Sequence, residues 1–335
     1  SGNLKRNYEP MSELIKDAIT NIENAKNKTG GVSGVPTGFL KLDKLTAGWQ
    51  RSDMIIVAAR PGMGKTAFVL SMARNIAVEQ RRAVAVFSLE MSSTQLVTRL
   101  IASESGISSE KLRKGELNDS EFGILHEHIS RLTDAPIFID DTPALNIFEL
   151  RAKCRRLKSQ HNVELIIIDY LQLMTAGGES KGGNREQEIS SISRSIKSIA
   201  KELDVPIIAL SQLSRAVETR GGDKRPQLSD LRESGAIEQD ADLVCFLYRP
   251  EYYKIYEDHY GSTLGIGEVI IAKHRNGALD TVNLRFIAEL AKFADLETTP
   301  SFQGVDGGMG SDGMRTITRP SRMNDDHDAD EPPPF

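Results

Sequence analysis

Two glycines, a lysine and a threonine close the stretch AARPGMGKT (58–66), and their spacing suits the holding of phosphate. Gly62 and Gly64 let the main chain turn so that its amides point at anionic oxygens. Lys65 reaches the terminal phosphates, and Thr66 offers a hydroxyl to magnesium. The expected nucleotide-contacting set is Arg60, Pro61, Gly62, Met63, Gly64, Lys65, Thr66 and Ala67. Ala59 stands where the usual motif has its first glycine, at a strand end where a small residue suffices. The context is the required one, since the apolar run MIIVAA (54–59) leads into the loop and the helical stretch AFVLSMARNIAVEQ leaves it.

Other chemistry-bearing residues stand at the ends of apolar runs. Asp169 closes LIIID, where a carboxylate beside a phosphate loop holds magnesium, although an aspartate there also suits a helix cap. Glu90 closes AVAVFSLE, from which it could activate an attacking water or cap a helix beginning near Ser92. Gln212 follows PIIALS and could bond a γ-phosphate or simply face solvent. In EVIIAKHRNG, period-two alternation sends Lys273 and Arg275 one way and His274 the other. By spacing alone, two cations on one face of an edge strand suit a guard against aggregation; a finger reaching a neighbour's nucleotide is the alternative.

These residues need a scaffold, and the chain supplies an α/β pattern. Apolar runs at 54–59, 83–90, 136–140, 165–169 and 206–211 read as strands buried on both faces of a mostly parallel, twisted sheet flanked by helices. Runs at 268–273 and 281–286, joined through Asn276-Gly277, predict an antiparallel hairpin at its edge. Two long connections, TAGGESKGGNREQE and SRAVETRGGDKRPQLSDLRESGAIEQ, leave the carboxyl ends of strands, where open α/β sheets bind ligands; by themselves they read as solvated loops. Ahead of the sheet, residues 12–26 form an amphipathic helix with Met11, Ile15, Ala18, Ile19 and Ile22 on one face, to be covered by its own domain or by a neighbour. Three segments follow: 1–34, with Ser1-Gly2-Asn3 resembling a cloning scar, a motor-sized 35–296, and an acidic tail, 297–335, expected to be disordered.

Composition narrows the classes further. Cys154 and Cys245 have no framework spacing, the six histidines no zinc pattern, and no apolar run is long enough for a membrane helix. The reading is a reducing cytoplasm, with no membrane association. The net charge of −5 is carried by residues 297–335, so the body is neutral and any nucleic-acid contact must come from local loops.

In order along the chain, GVPTGFLKLDKLTAGW (34–49), AARPGMGKT (58–66), FSLEMS (87–92), IIIDYLQLM (166–174), LSQLSR (210–215), SDLRESGAIEQDAD (229–242) and KHRNG (273–277) resemble the carboxyl-terminal motor domain of the DnaB-family replicative DNA helicases, with its preceding linker helix. The resemblance spans roughly residues 10–295, and in that family the alanine opening the phosphate loop is usual. It implies a RecA-like P-loop ATPase core assembled as a homohexameric ring, with ATP and Mg2+ between subunits. Lys65 and Thr66 then take phosphate and magnesium, Asp169 the metal, Glu90 the attacking water and Gln212 the γ-phosphate. Lys273 and Arg275 become groups supplied to a neighbour's site.

Arg232, Glu233 and Gly235 fall in the segment that, in this family, contacts the phosphates of single-stranded DNA, with Glu233 contributing through its backbone; Arg185 is a further DNA candidate. The same resemblance implies 5′ to 3′ translocation with exclusion of the other strand, a linker helix docked on the adjacent subunit, and primase and a helicase loader as partners of the full-length protein. The setting would be the bacterial cytoplasm, associated with the nucleoid. His274 departs from the family's frequent glutamine, and no collar domain precedes the linker, so the chain reads as an engineered fragment. The tail NDDHDADEPPPF resembles the tip of bacterial single-stranded-DNA-binding proteins, although a solubilising tail accounts for it too. The rival functions are a RecA-like recombinase and a nucleotide-switched DNA-binding scaffold; SDLRESGAIEQDAD argues against the first, and Glu90 with Arg275 against the second.

Overall fold

The computed structural model describes residues 10–27, 31–175, 185–221, 224–259 and 261–296. Its strands are β1 Met54–Ala59, β2 Val84–Ser88, β3 Ile137–Asp140, β4 Leu165–Asp169, β5 Ile207–Gln212, β6 Leu243–Tyr248, β7 Glu257–Asp258, β8 Gly261–Ser262, β9 Ile266–His274, β10 Thr281–Ile287 and β11 Lys292–Asp295. Among the described residues, nine of these form one sheet in the order β11-β10-β9-β6-β1-β5-β4-β2-β3. From β6 to β3 every pairing is parallel; β9, β10 and β11 add antiparallel pairings. The helices are α1 Met11–Asn27, α2 Leu40–Thr46, α3 Lys65–Arg74, α4 Ser93–Ser105, α5 Ser109–Lys114, α6 Asp119–Thr133, α7 Ile147–His161, α8 Arg185–Leu203, α9 Ala216–Thr219 and α10 Gly235–Asp240.

Period two explains why the central strands are apolar throughout. In β1, Ile55, Val57 and Ala59 enter one core with Phe68 and Met72 of α3. Met54, Ile56 and Ala58 enter the other with Ile192, Ile196 and Ile199 of α8. Each fully buried aliphatic side chain of this kind is worth about 1.5–3 kcal/mol, so both faces of β1 hold it rigid where it enters the phosphate loop.

The structure departs from the sequence expectations in three places. First, β3 is only half-buried, because it is an edge with β2 as its one neighbour. Second, the hairpin is not the opposite edge: β11 pairs beyond β10, and β9 lies between β6 and β10. Lys273 and Arg275 therefore have no open edge to guard, and the aggregation-guard reading fails. The signal for β11 was weak, since Lys292–Asp295 is short and its buried member, Phe293, is a single residue.

Third, the connection after β5 is not a solvated loop in its described part. It holds α9, a 3-10 turn over Leu228–Ser234 and α10. Asp230, buried, accepts from the Gln227 amide at 2.7 Å and pairs with Arg220, while Arg225 pairs with Glu268 and lies over the Tyr248 ring. Residues 222–223 of this connection, 176–184 of the other and the whole tail from 297 lie outside the described residues, as does the Ser1-Gly2-Asn3 expectation. Among the described residues, no helix is long and apolar enough to cross a membrane.

Candidate active site

β1, β2, β4 and β5 run parallel, so their carboxyl ends meet at one rim of the sheet. The phosphate loop leaves β1 there. Gly62 and Gly64 have φ of 82° and 93°, a region side chains disfavour, and space excludes one as well. A Cβ on Gly62 would lie 2.9 Å from the Tyr252 ring, and one on Gly64 3.0 Å from Phe293. Gly64 precedes α3 without a side-chain cap, which leaves first-turn amides for an anion. Pro61 is exposed, whereas the Met63 and Ala67 side chains are buried, so those two can serve a nucleotide only through their backbone. Arg60 turns away: its guanidinium donates to the Leu213 carbonyl at 2.7 Å and to Glu218 at 2.9 Å, which ties the loop to the segment after β5.

Lys65 and Thr66 open α3 beneath this loop. Thr66 Oγ1 donates to Asp169 Oδ2 at 2.8 Å, bringing a hydroxyl and a carboxylate from two elements into one spot. Burial raises the Asp169 carboxyl's pKa and the Glu90 charge adds to this, against the Thr66 hydrogen bond, Lys65 and Arg99. Burial likewise lowers the Lys65 pKa, while Asp169 and Glu90 oppose the shift. A hydroxyl and a carboxylate make a hard-oxygen half-shell that fits Mg2+, which keeps several waters and takes the rest from phosphate. Lys65 Nζ, meanwhile, donates to the Ala59 carbonyl at 3.3 Å, a weak bond that a phosphate can replace.

Glu90 lies two residues beyond β2, exposed. It does not cap the next helix: Ser92 does, in a capping box with Gln95. Gln212 ends β5 opposite Ala59 and is exposed at the rim. The structure thus brings Lys65, Thr66, Asp169, Glu90 and Gln212 to one end of four strands.

Lys273 and Arg275 are at the other end. The Arg275 amide bonds the Asp242 carbonyl, and the Asp242 amide that of Met54, which sets Arg275 level with the start of β1. Five strand residues, about 16 Å at ~3.3 Å each, separate that level from Ala59. The Arg275 guanidinium is held by Asp242 at 3.2 Å and the Gln239 carbonyl at 2.9 Å, and Lys273 by the Glu238 carbonyl at 2.5 Å. Neither reaches the phosphate loop of its own chain.

Against this geometry stand the comparisons with known proteins. Residues 34–295 match the DnaB-like helicase C-terminal domain family. The chain belongs to that family. It is 50% identical over 301 residues to the replicative DNA helicase DnaC of Bacillus subtilis strain 168, covering 90% of this chain and 65% of the relative. A solved ATPase domain superposes with a TM-score of 0.78 at 39% identity, over 87% of this chain and all of that one. A DnaB-like replicative helicase solved for its interactions with primase gives 0.75 at 39% identity, over 88% of this chain and 69% of that one. The chain spans 62–65% of the length of the first curated relatives it matches. The fold is accordingly the RecA-like ATPase fold of the DnaB-like helicases, as the motif order implied.

In this DnaB-like domain the DNA candidates fall on two segments. Arg232 and Glu233 lie in the 3-10 turn, their side chains outside the described residues, and Gly235 opens α10 with an exposed backbone. Arg185 opens α8, where its guanidinium donates to the carbonyls of Gln172 and Met174 and pairs with Glu188.

Sequence reasoning missed three residues beside the loop of this DnaB-like site. Arg249 donates to the Gly62 carbonyl at 3.0 Å and lies 3.9 Å from the Phe286 ring centroid, with Tyr252 against Gly62. They form a planar, apolar-and-cationic flank of the kind that stacks on a nucleobase. The signal for Arg249 and Tyr252, an arginine and tyrosines directly after the apolar run LVCFLY, was present but unspecific, and Phe286 simply ends the apolar run TVNLRF.

Asp242 was missed as well. It holds Lys197 and Arg275 and accepts from the Met54 amide at 2.8 Å. Burial first, and the Asp242 charge second, push the neighbouring Asp53 carboxyl up to about 6, while Lys197 and Arg275 pull it down. The folded chain therefore holds that proton more tightly than the unfolded one, and the stability this lends is present below about pH 4 and lost as pH rises through about 6. Asp53→Asn is expected to melt close to wild type near pH 4 and to be more stable by about 1 kcal/mol above pH ~6.5, allowing for solvent screening. Thermal melts of both proteins across that range check it.

Proposed function

We propose that this chain is the motor of a replicative DNA helicase, which hydrolyses ATP between the subunits of a six-membered ring and moves 5′ to 3′ on single-stranded DNA, excluding the other strand. The observation that carries the reading is the convergence of Lys65, Thr66, Asp169, Glu90 and Gln212 on one rim, with Arg275 about 16 Å from that rim along β1.

In the reaction, the α3 amides and Lys65 hold the β- and γ-phosphates, and Glu90 takes a proton from the attacking water. The water oxygen bonds to the γ-phosphorus as its bond to the ADP oxygen breaks. Thr66 and Asp169 would hold magnesium, which when bound would supply charge neutralisation at the phosphates. Arg275 and Lys273 of an adjacent copy stabilise the charge that develops on the transferred group, which their distance from their own loop favours. Gln212 bonds the γ-phosphate and registers its loss.

Gly235, through its amide, and Arg232 grip DNA phosphate without reading bases. α1 carries Met11, Ile15, Ile19 and Ile22 exposed, an apolar face suited to cover by the adjacent subunit. The primase contacts of one solved relative support primase as a partner of the full-length protein, with a loader for placing the ring on DNA. The working place would be the bacterial cytoplasm at the nucleoid.

The test is ATP- and magnesium-dependent strand separation on forked duplexes with only a 5′ or only a 3′ single-stranded arm. Separation that needs the 5′ arm is expected. DNA-stimulated ATP hydrolysis with no separation on either fork would favour the scaffold or recombinase instead.

A further inference from the structure

β5 outruns its neighbour. Its last pairing with β4 sets Ala209 opposite Ile168, yet β5 continues through Ser211 and Gln212, which pair on the other side with Ala58 and Ala59. On the β4 side the final peptide groups of β5 therefore have no strand to bond. One side chain takes that place. Gln172, in the 3-10 turn Leu171–Leu173 after β4, donates from Nε2 to Ser211 Oγ at 2.9 Å and to the Gln212 carbonyl at 3.3 Å. Its Oε1 accepts from the Gln212 amide at 3.4 Å.

In a strand, one residue's N–H and C=O project to the same side, and a carboxamide, with its donor and acceptor, can match both. Gln172 thus substitutes for a strand residue at the end of β5, beside Gln212. A backbone ladder is released only by unfolding a strand, whereas a side chain lets go by rotating.

The main chain of the same residue faces the other way. The Gln172 carbonyl accepts from Arg185, the first residue of α8, whose guanidinium also reaches the Met174 carbonyl. Leu171, buried, pins the turn between. The path from Gln212 to Arg185 at the start of α8 passes through one residue, Gln172.

We propose that Gln172 is a positioning residue that couples the nucleotide state sensed at Gln212 to Arg185, the DNA candidate that opens α8. The coupling rests on the reading of Gln212 as the γ-phosphate sensor given above. When the γ-phosphate leaves, Gln212 shifts, its bonds to the Gln172 carboxamide change, and the turn carrying the Gln172 carbonyl moves Arg185 and the start of α8.

The test compares the full chain with Gln172→Ala and Gln172→Glu; the glutamate keeps the length but replaces the donor with an acceptor. The first readout is the ratio of kcat for ATP with saturating single-stranded DNA to kcat without it. Coupling between sites commonly amounts to about 5- to 150-fold, and in both variants the ratio is expected to fall to within about twofold of unity. The melting temperature should stay within about 2 °C of wild type, as befits a part-buried surface turn. The second readout needs no DNA: amide exchange at residues 185–190 should respond to a non-hydrolysable ATP analogue in wild type and not in the variants.

Three results would overturn the coupling. They are a wild-type ratio in both variants (whether kcat itself is unchanged or falls equally with and without DNA), an exchange response to nucleotide at 185–190 that the variants retain, and a wild-type exchange pattern there that ignores nucleotide. Lys65→Ala, run alongside, isolates the underlying reading: if it still hydrolyses ATP, the nucleotide site itself is misassigned, whatever Gln172 does.

Discussion

Replacing Arg275 with alanine will leave ATP bound and abolish its turnover. Arginines that reach into a phosphoryl-transfer site from a neighbour are worth about 10³- to 10⁵-fold in kcat, and a loss in that range is expected here with the affinity for nucleotide little changed. Stability should hold, since the guanidinium is half exposed and its ion pair with Asp242 contributes at most about 1 kcal/mol.

The decisive version mixes two inactive proteins. Lys65→Ala spoils its own phosphate loop but keeps its finger, and Arg275→Ala does the reverse. In randomly mixed rings about a quarter of the interfaces would combine an intact loop with an intact arginine, so turnover should return on mixing. Steady-state phosphate release measures it. If the mixture stays inactive while wild-type subunits mixed in the same way are active, Arg275 does not act across an interface.

A second large effect is expected at Glu90. It is exposed at the rim, free of any capping duty, and its charge is felt at both Lys65 and Asp169. Glu90→Gln preserves the shape and removes the base, so the chemical step should slow by about 10²- to 10⁴-fold. Single-turnover hydrolysis at saturating ATP and magnesium isolates that step from product release. A rate within about tenfold of wild type would remove Glu90 from the mechanism and leave the water to be activated by phosphate or by another group.

The two effects differ in how far they could be read from residue order. Glu90, Asp169 and Gln212 each follow an apolar run, and Lys65-Thr66 follow a glycine loop. Parallel strands of similar length then put those run-ends on one rim whatever the detailed packing. Arg275 is different. Alternation showed that it shares a face with Lys273, and by spacing alone that fact favoured an edge guard over a finger.

What ruled out the guard was the position of β9 between β6 and β10, which its pairing with β6 decides; the strand beyond β10, β11, is four residues with one buried phenylalanine. The connection after β5 was misread for a similar reason. Its order comes from Asp230, Arg220, Arg225 and Glu268, which pair across sequence gaps that no local pattern reports.

By itself, then, the sequence determined the α/β class, the phosphate loop, the run-end carboxylates and the family, because period-two apolarity and the Gly-Lys-Thr spacing are local properties of a chain. Only the tertiary structure decided which cations lie far from their own nucleotide site, that Gln172 stands in for a missing strand partner, and that Arg249 and Phe286 flank the loop. Those are contacts between residues dozens of positions apart, created by strand order and register, and strand order is fixed by how whole elements bury their faces against one another.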